Sequence, residues 1–195
     1  MAYDEGGIKV DSRLRTSTKN IYACGDVHGG YQFTHVAAYE AGIAMMNICF
    51  PIIPMLRIPV KADYSRVPWC TYLDPEIASV GYNEQRAKAA GIPYRVHKEE
   101  FKNNDRAKAE GETDGFIKII IDSKGRPIGV QIVGIHAGDL IHEWVAVLNG
   151  RLSLQTIGTS IHAYPTLSEI NKTAGLNYFL SASVLAKLRM ILNRR

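Results

Sequence analysis

The stretch FIKIIIDSKGRPIGVQIVG at residues 116–134 decides the fold. Its two ends, 116–122 and 128–134, are rich in isoleucine and valine, which favour β-strands. Between them stands SKGR, a polar run with a glycine that is typical of a turn between two strands. The pattern predicts a β-hairpin and therefore an antiparallel pair of strands in the domain around it.

Two helices are predicted on either side of this hairpin. Asn83 is a suitable N-cap and Gly91 a suitable C-terminal residue for a helix over 84–90. Asp139 is expected to cap a second helix, which runs to Asn149 with its apolar residues on one face. Helical and strand patterns thus follow one another along this part of the chain.

Further strands are predicted at 67–72 and 94–101, because both runs contain β-prone residues. Together with the hairpin and the helices, they predict an α+β domain over residues 64–175. Its sheet is expected to be largely antiparallel, with helices on one face.

Residues 1–49 hold too few elements for a core of their own. A short strand is predicted at 8–11, a β-prone run at 21–24 ends abruptly at a Gly-Asp pair, and a helix is predicted over 34–47. So little structure does not form a stable core. We therefore interpret residues 1–49 as the C-terminal remnant of a larger α/β domain.

Two segments flank the α+β domain. Residues 50–63 contain three prolines among apolar residues, which disfavour helix and central strand, so we predict an extended crossing linker. Residues 176–195 have apolar side chains at helical spacing and basic but no acidic side chains. This pattern predicts an amphipathic helix that docks on the protein itself or makes a weak contact with a membrane surface.

Composition excludes several function classes. Of 195 residues, 46% are hydrophobic and 22% charged, which is typical of a folded globular protein. The net charge of +4 is too small to indicate a nucleic-acid partner, and no apolar run is long enough to span a membrane. The polar N-terminus lacks a signal-peptide pattern and the three cysteines form no CxxC pair, so we expect a cytoplasmic location and no metal site.

Two segments contain polar residues that could bind a cofactor or take part in catalysis. Gly25 and Asp26 follow the short β-prone run, and the ends of strands in α/β sheets are where cofactors bind. The alternative is an ordinary turn. Farther on, residues 160–169 contain His162, Tyr164 and Glu169, but Thr166 and Glu169 also have the spacing of a helix capping box.

Several segments taken together resemble the pyridine nucleotide–disulfide oxidoreductases. The run TKNIYACGDV at 18–27 resembles the second FAD-binding motif of that family, and TYLDPEIASVG at 71–81 resembles its C-terminal domain. Further matching segments follow in the family's order: 105–107, 115–118, 129–134, 137–141 and 162–169. The resemblance covers roughly residues 8–175.

The resemblance implies an FAD-binding function for the first segment. In this family an FAD domain is interrupted by an NAD(P)-binding domain and followed by a dimerisation domain. Asp26, after Gly25, would then accept hydrogen bonds from the ribitol chain of FAD. The backbone of Gln32, Phe33 and Thr34 would lie under the flavin pyrimidine edge, where a helix dipole stabilises a reduced anionic flavin.

The resemblance also implies an active-site segment that acts across a homodimer formed through residues 64–175. The contact is expected to involve the helix at 139–149 and the segment 161–169. Where the family has a catalytic histidine before the proline, this chain has Tyr164, as in mercuric reductases, so Tyr164 is the expected catalytic residue. Glu169 keeps its family position, His162 is an alternative base, and the bond from Tyr164 to the proline is expected to be cis.

The chain lacks the family's dinucleotide fingerprint, its CxxxxC pair and the C-terminal cysteine pair of mercuric reductases. We therefore expect the chain alone to be inactive and to bind FAD only weakly. The substrate, a small disulfide or a metal–thiol compound, and the choice between NADH and NADPH stay open. Two other functions remain: a free-standing dimerisation module, and a hydrolase that uses His162 and Glu169.

Overall fold

The computed structural model describes residues 1–49, 61–150 and 152–181. Most of the predicted crossing linker and most of the predicted basic C-terminal helix lie outside the described residues. The chain divides into two compact units, Met1–Tyr64 and Ser65–Arg195.

The first unit is small. A two-stranded hairpin pairs β1 (Tyr3–Asp4) with β2 (Gly7–Ile8), a 3-10 turn spans Gly25–His28, and helix α1 spans Thr34–Cys49. Helix α1 confirms the helix predicted here and extends two residues farther. A minor apolar cluster forms around Leu14, whose side chain is 1% exposed.

The predicted strands of this unit form only in part. Strand β2 ends at Ile8, and the β-prone run at 21–24 makes a single bridge, between Tyr22 and Arg15. The prediction of a full strand at either place is wrong. A β-prone run extends into a ladder only when a neighbouring strand takes up its N–H and C=O groups. Here the described residues give the run at 21–24 only two such bonds, from the Thr16 N–H to the Ile21 carbonyl and from the Ala23 N–H to the Leu14 carbonyl.

The second unit is built on a five-stranded antiparallel sheet in the order β3-β4-β7-β6-β5. The predicted hairpin is confirmed: β6 pairs with β7, with Ile119 opposite Val130 and Ile117 opposite Ile132. The strands are β3 (Trp69–Thr71), β4 (Glu76–Gly81), β5 (Tyr94–Glu100), β6 (Phe116–Asp122) and β7 (Pro127–Gly134).

Five helices lie in the described part of this unit. They are α2 (Glu84–Ala89), α3 (Asp105–Glu110), α4 (Ala137–Leu148), α5 (Leu154–Thr159) and α6 (Glu169–Phe179). Helix α4 packs on β4 and β7, and α6 packs on β5. The core between them contains Ile117, Ile119, Ile132 and Trp144.

The prediction of helices on one face holds for α4 and α6, which build the core, but not for α2. Lys118 alternates along β6 with the core residues Ile117 and Ile119, so its side chain leaves the opposite face. Its Nζ lies 2.8 Å from Glu84 Oε1, at the start of α2. Helix α2 therefore lies next to the second face of the sheet at Lys118.

Helix α4 starts earlier than predicted. The residue before it is His136, in a left-handed conformation with φ +54°, and the helix begins at Ala137. Asp139 lies in the first turn and is not the cap. This left-handed residue turns the chain from the end of β7 into α4 within two residues. The preference of aspartate for N-cap positions does not predict such a turn. The predicted N-cap Asn83 is confirmed, since its side chain accepts from the Arg86 N–H at 2.8 Å.

A buried amide connects α4 to α6. Trp144 Nε1 donates to Asn171 Oδ1 at 2.7 Å, and Asn171 Nδ2 donates to the Leu140 carbonyl at 3.0 Å. Asn171 and Trp144 are both fully buried. Because water does not reach these groups, each depends on the other for its hydrogen bond.

We expect Asn171→Leu to lower the free energy of unfolding of the chain by about 3 kcal/mol, because each buried group left without a partner costs about 1–3 kcal/mol. Urea unfolding followed by tryptophan fluorescence measures this. The control is Asn149→Leu at the exposed end of α4, where we expect a change of about 0.5 kcal/mol or less. Equal losses in the two variants would contradict the assigned role of the buried amide.

Candidate functional site

The Gly25–Asp26 pair lies in a tightly supported turn of the first unit. Gly25 has φ +73°, and a Cβ added there would come within 3.1 Å of Ala37 Cβ on α1. At the end of the turn Gly29 has φ +80°, and its added Cβ would lie 2.3 Å from the Gly6 carbonyl. Glycine is thus required on both sides of the turn. Asp26 itself is exposed, and its carboxylate has no hydrogen-bond partner among the described residues of this unit.

A buried glutamate, which sequence reasoning missed, supports this turn from behind. Glu40 on α1 is 1% exposed and accepts from the Gly25 N–H at 2.6 Å, His28 Nε2 at 2.8 Å and the Tyr64 hydroxyl at 2.6 Å. Burial disfavours its charged form, but the three hydrogen bonds outweigh burial and hold the pKa of Glu40 below its ordinary value. Its position four residues after buried Val36, on the inner face of α1, was the signal in the sequence.

The other residues predicted to contact a flavin lie together at the start of α1. Gln32, Phe33 and Thr34 are all exposed. The ring of Phe33 stacks on Tyr31 at 6.2 Å and on His35 at 5.2 Å between ring centroids. The first unit therefore presents an outward-facing surface that consists of Asp26 and the first turn of α1.

Tyr164 lies in the loop before α6 in the second unit. The Tyr164–Pro165 bond is cis, as predicted, and the tyrosine side chain is 70% exposed. Its hydroxyl donates to Asp105 Oδ2 at 3.2 Å. The negative charge of Asp105 and this hydrogen bond raise the pKa of Tyr164, and Glu169 contributes in the same direction. Tyr164 is therefore a neutral hydrogen-bond donor at neutral pH.

Helix α3 and this loop are tied together by Asn104, a second residue that sequence reasoning missed. Asn104 caps α3 by accepting from the Ala107 N–H at 2.9 Å, and its Nδ2 donates to the Thr166 carbonyl at 3.1 Å. The side chain is buried. One amide thus fixes Asp105, at the start of α3, relative to the loop that carries Tyr164.

His162 is directed elsewhere. Its side chain is only 10% exposed, with Nε2 at 3.4 Å from Glu143 Oε2 on α4 and Nδ1 at 3.2 Å from the Ser160 carbonyl. These contacts attach the loop to α4. The partner of His162 is Glu143 and not Glu169, so the pair required by the hydrolase alternative is not formed.

The predicted capping box between Thr166 and Glu169 is wrong. The Thr166 hydroxyl donates to the Ala163 carbonyl at 2.7 Å and contacts Ser168 Oγ at 2.9 Å, while the Glu169 N–H reaches only the Thr166 carbonyl, at 3.4 Å. The hydroxyl closes the turn around the cis proline and is no longer available as a cap. Glu169 still begins α6, half-buried, and its charge acts on Tyr164.

Other kinds of site find no support among the described residues. No group of three or more His, Cys, Asp or Glu side chains there could hold a metal ion. The three cysteines are separate free thiols. Within the same residues, none of the helices combines the length and the apolar character needed to cross a bilayer.

Comparison with protein families gives two matches. The model described as "Pyridine nucleotide-disulphide oxidoreductase, dimerisation domain" matches residues 67–174. The model described as "Pyridine nucleotide-disulphide oxidoreductase" matches residues 1–41. The first match covers more than half of the chain.

Curated relatives and solved structures agree with these matches. The dihydrolipoyl dehydrogenase of Bacillus subtilis is 40% identical over 172 residues, which are 88% of this chain and 35% of the relative. LpdA from Mycobacterium tuberculosis superposes with a TM-score of 0.77 at 27% identity, over 88% of this chain and 36% of that one. The HOCl-induced flavoprotein disulfide reductase RclA from Escherichia coli superposes with a TM-score of 0.77 at 26% identity, over 90% of this chain and 40% of that one. The chain thus spans about a third of the length of the curated relatives that it matches.

We expect Asp105→Asn to lower the pKa of Tyr164, because the substitution removes the negative charge beside the hydroxyl. NMR titration of the chain with ring-labelled tyrosine measures this, with the Tyr164 signal identified by its loss in Tyr164→Phe. As a control, Glu110→Gln removes a charge at the other end of α3, where Glu110 pairs with Arg106. This substitution should leave the pKa of Tyr164 unchanged. An unchanged Tyr164 pKa in Asp105→Asn would show that the hydroxyl does not face this carboxylate.

Proposed function

The chain belongs to the pyridine nucleotide-disulphide oxidoreductase family, and from this premise we propose that it is the C-terminal part of an FAD-dependent enzyme. That enzyme reduces a small disulfide or a metal–thiol substrate with NAD(P)H. The proposal rests on an arrangement that both candidate sites have. Asp26 and Tyr164 each have an exposed side chain on a segment that a buried side chain of the same unit holds in place, Glu40 for Asp26 and Asn104 for Tyr164.

The residues of the first unit fit FAD. Asp26 offers an exposed carboxylate that accepts hydrogen bonds from the ribitol hydroxyls, and Gly25 lets the turn pack against Ala37 of α1 behind it. Gln32, Phe33 and Thr34 present backbone at the N-terminus of α1, a helix of 16 residues whose dipole favours negative charge on the flavin. When bound, FAD would supply the redox chemistry that links hydride transfer from NAD(P)H to reduction of the substrate. The adenine and nucleotide sites belong to the remainder of the full-length enzyme.

The second unit forms a homodimer. Large apolar side chains lie exposed on it, with Tyr72 at 80%, Leu73 at 59% and Ile161 at 99%. Exposed apolar surface of this kind is typical of a contact with another chain, and a two-fold contact uses the same patch on both copies. The apolar face of α4 is not part of this contact, because Leu140, Trp144 and their neighbours are buried in the core.

Tyr164 acts in the partner subunit's active site as a donor. Before substrate binds, the hydroxyl donates its one proton to Asp105, which keeps Tyr164 neutral. To orient the substrate or stabilise the thiolate that reduction produces, the hydroxyl turns from Asp105 and donates the same proton to the substrate. Glu169 adds negative charge beside the same hydroxyl. His162 supports the loop through Glu143, because its imidazole is almost covered.

In the full-length enzyme we expect Tyr164→Phe to lower kcat about tenfold, since one hydrogen bond in the transition state accounts for about 1.4 kcal/mol. Steady-state rates with lipoamide, oxidised glutathione or mercuric chloride as substrate, and NADH or NADPH as reductant, measure this. Flavin absorbance and dimer mass should not change. Tyr3→Phe at an exposed position of the first unit is the matched control and should leave the rate unchanged.

His162→Gln is expected to lower the rate less than threefold. If Tyr164→Phe has no effect while His162→Gln abolishes turnover, the catalytic role belongs to His162. Absence of turnover by the unaltered enzyme with all of these substrates would contradict the proposed function itself.

A further inference from the structure

Three segments of the first unit converge on one buried carboxylate. The Gly25 N–H comes from the turn, His28 Nε2 from the end of that turn, and the Tyr64 hydroxyl from the last residue of the unit. Glu40 accepts from all three, with distances of 2.6–2.8 Å. An ionised carboxylate accepts at both oxygens without donating, which suits three donors, and hydrogen bonds to an ionised acceptor are the strong ones.

Helix α1 shapes the turn in two complementary ways. Ala37 lies against Gly25 and leaves no room for a side chain there. Glu40, one helical turn farther on, provides the acceptor for the Gly25 amide. Helical residues three apart lie on the same side of a helix, so Ala37 and Glu40 act on the turn together.

We propose that Glu40 is a positioning residue for the cofactor, which it never touches: by holding the Gly25 amide it fixes the peptide that leads into Asp26. The inference rests on the proposed function, in which Asp26 binds FAD. With Glu40 in place the Asp26 carboxylate stays directed outward without any hydrogen-bond partner of its own among the described residues. Without Glu40 the Gly25 amide loses the side-chain acceptor that holds it, and the orientation of Asp26 is no longer set before the cofactor binds.

The substitution Glu40→Gln tests this in the full-length protein after removal of FAD. The amide keeps the shape of the side chain but has only one acceptor oxygen, and its NH2 group opposes one of the three donors. We expect the Kd for FAD, measured by flavin fluorescence, to rise at least about tenfold. Glu5→Gln, the same change at an exposed position of the same unit, should leave the Kd unchanged. The amide signal of Gly25 in a nitrogen-15 NMR spectrum should move in Glu40→Gln and stay in place in Glu5→Gln.

Asp26→Ala separates this inference from the function on which it rests. If Asp26→Ala loses FAD affinity while Glu40→Gln binds FAD as tightly as the unaltered protein, the positioning role is wrong and the FAD site stands. The same conclusion follows if Glu40→Gln lowers only the melting temperature of the apoprotein. If Asp26→Ala binds FAD normally, the proposed FAD site is itself wrong, and the inference fails with it.

Should Glu40→Gln not fold, Glu40→Asp takes its place. Aspartate keeps the charge but is one methylene shorter, so it cannot reach the Gly25 amide and the Tyr64 hydroxyl together. A Kd for FAD at least about fivefold above that of the unaltered protein is expected. Unchanged FAD affinity in a folded Glu40→Asp protein would overturn the positioning role.

Discussion

The ladder between β6 and β7 aligns Ile117, Ile119 and Val130 on one face of the sheet, and the burial of this face is the interaction on which the second unit depends. Each such side chain contributes about 2 kcal/mol when it leaves water. Helices α4 and α6 cover the face, and the buried amide of Asn171 fixes them to each other. The loop that carries Tyr164 leads into α6, so its position depends on this packing of the helices on the sheet.

The two candidate sites have the same construction. A buried polar side chain satisfies the backbone behind the site, and an exposed side chain points outward. Asn104 does this for the Tyr164 loop, and Glu40 does it for the turn that carries Asp26. Buried polar groups persist only when they are fully hydrogen-bonded, so each support has one well-defined arrangement. This arrangement orients the exposed residues before any cofactor, substrate or second subunit arrives.

Much of the fold could be predicted from the sequence because its signals are local. The hairpin at 116–134 combines β-prone runs with a turn, and Asn83 caps the helix that begins at the next residue. The contacts at the sites were not predictable in this way. Tyr164 and Asp105 are 59 residues apart, and Glu40 and Tyr64 are 24 apart. Only the tertiary structure brings such pairs together.

The failed predictions have local causes of another kind. The capping box did not form because the Thr166 hydroxyl closes a turn instead, which shows that a polar side chain with two available partners is not assigned by spacing alone. Helix α4 began early because His136 adopts a left-handed conformation that residues other than glycine seldom take. Asp26 and Tyr164, two of the residues that the family resemblance identified, are exposed, whereas both supports are buried and were found only in the structure.

We propose that this chain completes the active site of a second subunit, and a mixed dimer of the full-length enzyme tests this most directly. One subunit carries Tyr164→Phe, the other lacks the redox cysteines, and differently tagged subunits allow the heterodimer to be purified. If the sites are shared across the two-fold axis, both defects fall in one site and the other is intact, so the heterodimer should retain about half of the unaltered turnover. If each site is built within one chain, both sites carry a defect. Turnover no higher than the mean of the two variant homodimers would then contradict the account.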